Sequence, residues 1–223
     1  MRKLLGFEFD LAAFYRSAMS RDLVPRHVLE RLEGFRPPVV PDPFESLVTS
    51  ITAQQVSLFA AFAIRNRLIE GFGERAEHAY AFAARERLAR AREDELRALG
   101  FSGRKAEYVV ALARSDLDLD GLAALPDDEV KATLRMQRGL GDWTADWFLA
   151  RHLARPRAWP AGDLGLRKAV AAFYGDVGDI RAFGERFEPF QNLSAHYLLT
   201  GLRTAAPAKP ARPLRSAPPS SAP

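Results

Sequence analysis

The chain contains no cysteine. That excludes disulfides, thiolate zinc sites and cysteine-ligated iron–sulfur clusters. Histidine is scarce: His27, His78, His152 and His196 stand far apart, without the spacing of a metal-binding motif. No apolar run approaches the roughly 18 residues that signal a membrane helix, so none is expected. The opening MRKLLGFEFDL carries Glu8 and Asp10. It lacks the apolar stretch and small-residue cleavage site of a secretory signal, so an intracellular protein is expected.

A strong charge of one sign is also missing. The net charge is +4, and three of those charges, Lys209, Arg212 and Arg215, sit in a Pro/Ala/Ser-rich tail. Without them the rest of the chain stands at +1. A nucleic-acid surface would therefore need local segregation of charge. The residues are 48% hydrophobic, which argues against a disordered chain, and 223 residues suffice for a buried core.

Most of the chain reads as helix. Residues 1–41 form an N-terminal helical segment closed by the extended connector Arg36–Pro41, since proline disfavours helix in the residue before it. Asp42-Pro43 is a helix start, an N-cap acceptor followed by proline. Phe44, Leu47, Val48 and Ile51 then make one apolar face. Ser57 caps a helix over residues 58–72, and Ser102 caps another to about Ala113. Residues 76–99 read as short Arg- and Ala-rich helices with a solvated face. Residues 205–223 read as a disordered tail. No segment has strand period with turn chemistry, so the expectation is all-α.

The stretch Arg135–Asp163 organises the rest. A helix ends near Met136, Gly139-Leu140-Gly141 makes a tight turn, and a second helix opens at Asp142-Trp143-Thr144-Ala145. The N–H groups of that helix start suit an anion such as a phosphate. Leu140 is expected to tuck between the two helices. Asp163, after Pro160 and Gly162, is a good N-cap for a helix over residues 164–174.

This arrangement resembles the helix-hairpin-helix DNA glycosylases, in particular the 3-methyladenine DNA glycosylase II (AlkA-like) branch. Gly139, Gly141, Trp143, Thr144 and Ala145 fill the family's hairpin pattern, and Asp163 stands where its catalytic acid stands. Thr52-Ala53-Gln54-Gln55-Val56-Ser57 resembles a segment whose loop approaches the DNA minor groove. The resemblance covers about Asp42–Gly201 and implies a two-lobed fold with a cleft over residues 42–204, lacking the branch's β-rich N-terminal domain. It implies excision of alkylated bases, the 3-methyladenine and 7-methylguanine class, from double-stranded damaged DNA. The location implied is cytoplasmic, nucleoid-associated in a bacterium, and a monomer is expected.

By the same likeness Asp163 is catalytic, and Trp143 and Trp147 line the base pocket; Trp159, near the catalytic turn, is expected to join them. Gln54, Gln55, Gly139, Leu140, Gly141, Thr144, Arg104 and Lys105 face DNA, with Gln55 as the wedge. The backbone carbonyls of Arg135, Gln137 and Leu140 would hold a monovalent cation, Na+ or K+; no cofactor is required. Trp143 occupies the position of the Schiff-base lysine of bifunctional glycosylase/lyases, so a monofunctional enzyme is expected. Arg138, Asp142 and Phe190-Gln191 depart from the pattern. A non-catalytic DNA-binding module and a glycosylase for oxidised bases remain open as alternatives.

Overall fold

The computed structural model describes residues 2–205; the expected tail beyond Ala205 lies outside the described residues. Helix α3 (Pro43–Ala53) lies near the centre. Asp42 caps it by accepting from the Glu45 N–H at 2.6 Å, and proline fills its first position. The expected stripe is buried, with Leu47, Val48 and Ile51 fully so. α3 packs against α4 (Leu58–Phe72), α7 (Gly103–Arg114) and α9 (Asp142–Arg151). Short helices α5 (Arg85–Arg90) and α6 (Glu93–Ala98) cover α7, and α8 (Asp127–Arg135) pairs with α9.

A second group forms around α12 (Gln191–Thr204), in which every residue from Gln191 to Leu199 is buried. α10 (Leu164–Tyr174) and α2 (Arg26–Arg31) pack on it. α1 (Leu11–Arg21) reaches it through Phe14, whose ring centroid lies 4.8 Å from that of Tyr197. The Tyr15 and Tyr197 hydroxyls are 2.9 Å apart. The N-terminal segment is thus built into the core. α11 (Ile180–Gly184) closes the turn between α10 and α12.

One expectation needs correcting here. Residues 75–80 form a small antiparallel hairpin, β1 (Arg75–Ala76) with β2 (Ala79–Tyr80), where helix was expected. Its four strand residues are exposed, so turn geometry rather than burial sets it. The Arg36–Pro41 connector is extended as expected, but it is also structural. The Val40 N–H donates to the Arg151 carbonyl at 2.7 Å, and the Val40 carbonyl meets His152 Nδ1 at 2.8 Å. The connector therefore fastens the end of α9. Among the described residues no helix is long and apolar enough to cross a membrane.

Candidate active site

Asp163 ends a compact turn in which its own N–H donates to the Pro160 carbonyl at 2.9 Å. Its Oδ1 caps α10 by accepting from the Leu166 N–H at 2.9 Å. Its Oδ2 accepts from two indoles, Trp143 Nε1 and Trp147 Nε1, each at 3.0 Å. Both tryptophans come from one face of α9, four residues apart. A carboxylate of about four acceptor positions thus has three occupied by fixed donors. One is left for water or a substrate.

Two cavities meet at this carboxylate. The outer one, about 680 Å³, is lined by Gln54, Gln55, Gly141, Trp143, Thr144 and Asp163 among others. The inner one, about 210 Å³, lies between α3, α4, α9 and α12. Its walls include Ser46, Ala53, Leu58, Trp143, Trp147 and Asp163. Arg151 and Arg203 also line it. The Arg151 guanidinium lies over the Trp147 ring, 4.0 Å from its centroid, a cation–π contact. Trp147 therefore borders the inner cavity with its ring already covered by a cation and its N–H committed to Asp163. Trp143, half-buried and facing both cavities, is the aromatic wall open to a ligand.

The hairpin turn is built as its glycines suggest, for two different reasons. Gly139 has φ +87°, and a Cβ there would lie 2.3 Å from the Tyr108 ring. Gly141 has ordinary φ and open space around it, so its missing side chain clears room only on the outside. Leu140 is buried, 3% exposed, between α8 and α9. No side chain caps the start of α9. Asp142, the acid in that first turn, pairs with Arg135 at 2.9 Å, and Arg138 pairs with Glu107.

Several residues expected to face DNA turn inward. Gln54 Nε2 donates to the Gly139 carbonyl at 2.9 Å and to Thr144 Oγ1 at 3.4 Å, fastening the α3–α4 turn to the hairpin. Thr144 is 1% exposed, and its hydroxyl is taken up by Gln54. Lys105 is buried, and its Nζ donates to the Thr52 carbonyl at 2.9 Å. A cation at the last turn of α3 satisfies a free carbonyl and the helix dipole, which explains why it is not at the surface. Burial lowers the Lys105 pKa. Arg104 is exposed. Gln55 is exposed at the outer cavity with φ +52°, unusual for a residue with a side chain.

Trp159 does not join the pocket. Its Nε1 donates to the Ile180 carbonyl at 2.8 Å, and its ring stacks on Phe187 with centroids 5.1 Å apart. It holds α11 in place, its indole N–H satisfied by a backbone carbonyl as burial requires. The residues not anticipated are Arg151 and Arg203. One signal was in the sequence: Trp143, Trp147 and Arg151 repeat at intervals of four along α9.

His196, from α12, lies against Trp147 with ring centroids 6.1 Å apart. Burial first, then Arg151 and Arg203, lower its pKa to about 3. A histidine kept neutral in the fold but free to protonate when unfolded costs stability as pH falls below the unfolded value, about 6.5. The loss grows between pH 6.5 and about 3. At pH 5 it should reach about 2 kcal/mol, read as a falling midpoint in urea. His152, whose pKa burial also lowers, adds in the same direction. His196→Phe should show a flatter acid limb.

The family model described as "HhH-GPD superfamily base excision DNA repair protein" matches residues 48–184. The chain is 30% identical over 169 residues to a Bacillus subtilis protein named DNA-3-methyladenine glycosylase, covering 72% of this chain and 55% of that one. It is 31% identical over 168 residues to Escherichia coli DNA-3-methyladenine glycosylase 2, covering 71% of this chain and 57% of that protein. The chain thus spans little more than half the length of these relatives. Among solved structures, the 3-methyladenine DNA-glycosylase from Archaeoglobus fulgidus superposes with a TM-score of 0.82 at 28% identity, covering 91% of this chain and 74% of that one.

Proposed function

The chain belongs to the HhH-GPD superfamily of base excision DNA repair proteins, and on that premise we propose that it is a monofunctional glycosylase that removes alkylated bases from duplex DNA. The observation that carries this reading is the carboxylate of Asp163 at the junction of two cavities, fixed by three N–H donors. The outer cavity takes the DNA strand, and the inner one takes a base turned out of the stack. Breakage of the N-glycosidic bond leaves positive charge on the sugar, and a preoriented carboxylate favours that charge without rearranging. With one acceptor position free, Asp163 can also orient the attacking water. Excision leaves an abasic site.

The names of the relatives support an alkylated purine as substrate, of the 3-methyladenine and 7-methylguanine class. Trp143 supplies the stacking surface; base–aromatic stacking contributes about 1–3 kcal/mol. Among the described residues no lysine lines either cavity, and Lys168 is exposed on α10, so none of them sets an amine at hand for a Schiff base. The uncapped start of α9 and the open space at Gly141 suit a phosphate. The carbonyls of Arg135, Gln137 and Leu140 would hold a Na+ or K+ ion beside it. The Gln137 carbonyl already accepts the Leu140 N–H at 3.1 Å, so the loop that presents them is formed. Such an ion would add positive charge to the phosphate-facing turn.

The test is base release from duplexes carrying 3-methyladenine, 7-methylguanine or 8-oxoguanine. Release of the alkylated bases without strand nicking is the expected result. Nicking without alkali would remove the monofunctional assignment, and binding with no release from any duplex would leave a DNA-binding module. The two hairpin glycines give a second check. Gly139→Ala should cost about 2–4 kcal/mol in a urea melt, from left-handed backbone strain and the clash with Tyr108. Gly141→Ala should melt like the wild type and bind duplex more weakly.

A further inference from the structure

The inner cavity contains an unanswered cation. The Arg151 guanidinium rests on Trp147 and lines the cavity, yet among the described residues it makes no hydrogen bond or ion pair. Its Nε is buried without an acceptor. Arg203 on the same wall is a second cation, against the single carboxylate of Asp163. One guanidinium N–H buried without an acceptor is costly, and a group entering the cavity can supply the acceptor. Arg151 lines the inner cavity and not the outer one, where Gly141 and the exposed Gln55 would meet the strand. Its partner is therefore on the base and not on the phosphate backbone.

We infer that Arg151 is a specificity-determining residue that selects a base carrying a carbonyl oxygen at position six. This deepens, and rests on, the reading of the inner cavity as a base pocket. A 6-oxopurine offers O6 as an acceptor to the guanidinium, whereas a 6-aminopurine turns an N–H donor toward it. The seryl and threonyl hydroxyls of Ser46, Thr49 and Ser50 can donate or accept, so they impose no such choice. Within the alkylated class, 7-methylguanine is then preferred to 3-methyladenine. Beyond that class, hypoxanthine offers the same O6 acceptor to the guanidinium.

The test separates this inference from the proposed reaction. Tryptophan fluorescence of the full chain is titrated with free hypoxanthine and with free adenine, which differ at position six and in the proton on N1, and no turnover is involved. The wild type should bind hypoxanthine more tightly by about tenfold to a hundredfold. In Arg151→Met, which keeps an apolar stem on Trp147, the ratio should fall close to one. Arg151→Lys, with its charge but not its planar fork, should fall between, and it carries the test should the Met variant not fold. A ratio near one in the wild type, or a ratio unmoved in a folded variant, overturns the inference. Base release from duplexes is measured beside it. Release with no hypoxanthine preference leaves the glycosylase and removes the role of Arg151. Preference with no release does the reverse.

Discussion

Asp163→Asn should lower base release by at least about a hundredfold, and by as much as a thousandfold, while duplex binding persists. The size follows from removing a fixed charge from the place where positive charge develops, an effect that typically costs two to three powers of ten. The surroundings make the change harsher than an isosteric swap. All three neighbours of the carboxylate are donors: the Leu166 N–H and the two indole N–H groups. An Asn amide has one acceptor oxygen. Whichever way it turns, its NH2 points at a donor. Single-turnover release with excess enzyme measures the chemical loss, and a binding titration on the same duplex shows whether the cleft survives. Unchanged single-turnover release would show that Asp163 is only the cap of α10.

Trp143→Ala comes next, with an expected loss of about a hundredfold to ten-thousandfold in kcat/KM. Two contributions combine. Stacking of the displaced base on the indole gives about 1–3 kcal/mol. The N–H bond to a charged acceptor adds about 1.5–3 kcal/mol. Trp143→Phe separates them, since it keeps a ring and loses the bond, and it should recover part of the loss. If Phe and Ala behaved alike, the hydrogen bond to Asp163 would account for the whole effect. If both matched the wild type, Trp143 would have no part in the reaction. Trp147→Phe is the control, because its ring is already covered by Arg151 and only the bond is at stake.

Local chemistry made much of this legible before any coordinates. The caps at Asp42, Ser57, Ser102 and Asp163 all accept the N–H groups expected of them, because a cap depends on neighbours three residues away. The hairpin with Leu140 buried in its turn is of the same kind. What sequence reading misplaced depends on partners distant in the chain. Lys105 turns inward because the end of α3, some fifty residues earlier, presents a carbonyl. Trp159 leaves the pocket because Ile180 and Phe187 meet it. Arg151 joins the pocket because α9 continues the tryptophan stripe past Trp147. The four-residue spacing puts Arg151 on the tryptophan face of α9, but only the fold decides what that face meets.

The link made by Gln54 has a consequence for how a duplex would be received. One amide holds the carbonyl of Gly139 from a turn that also carries Gln55. On the proposed reading, the wedge Gln55 and the phosphate-facing hairpin would form a single jaw, set when the polypeptide folds. Conformational freedom that separate loops would surrender on encountering a damaged helix would then already be given up, and docking would proceed onto a finished tool.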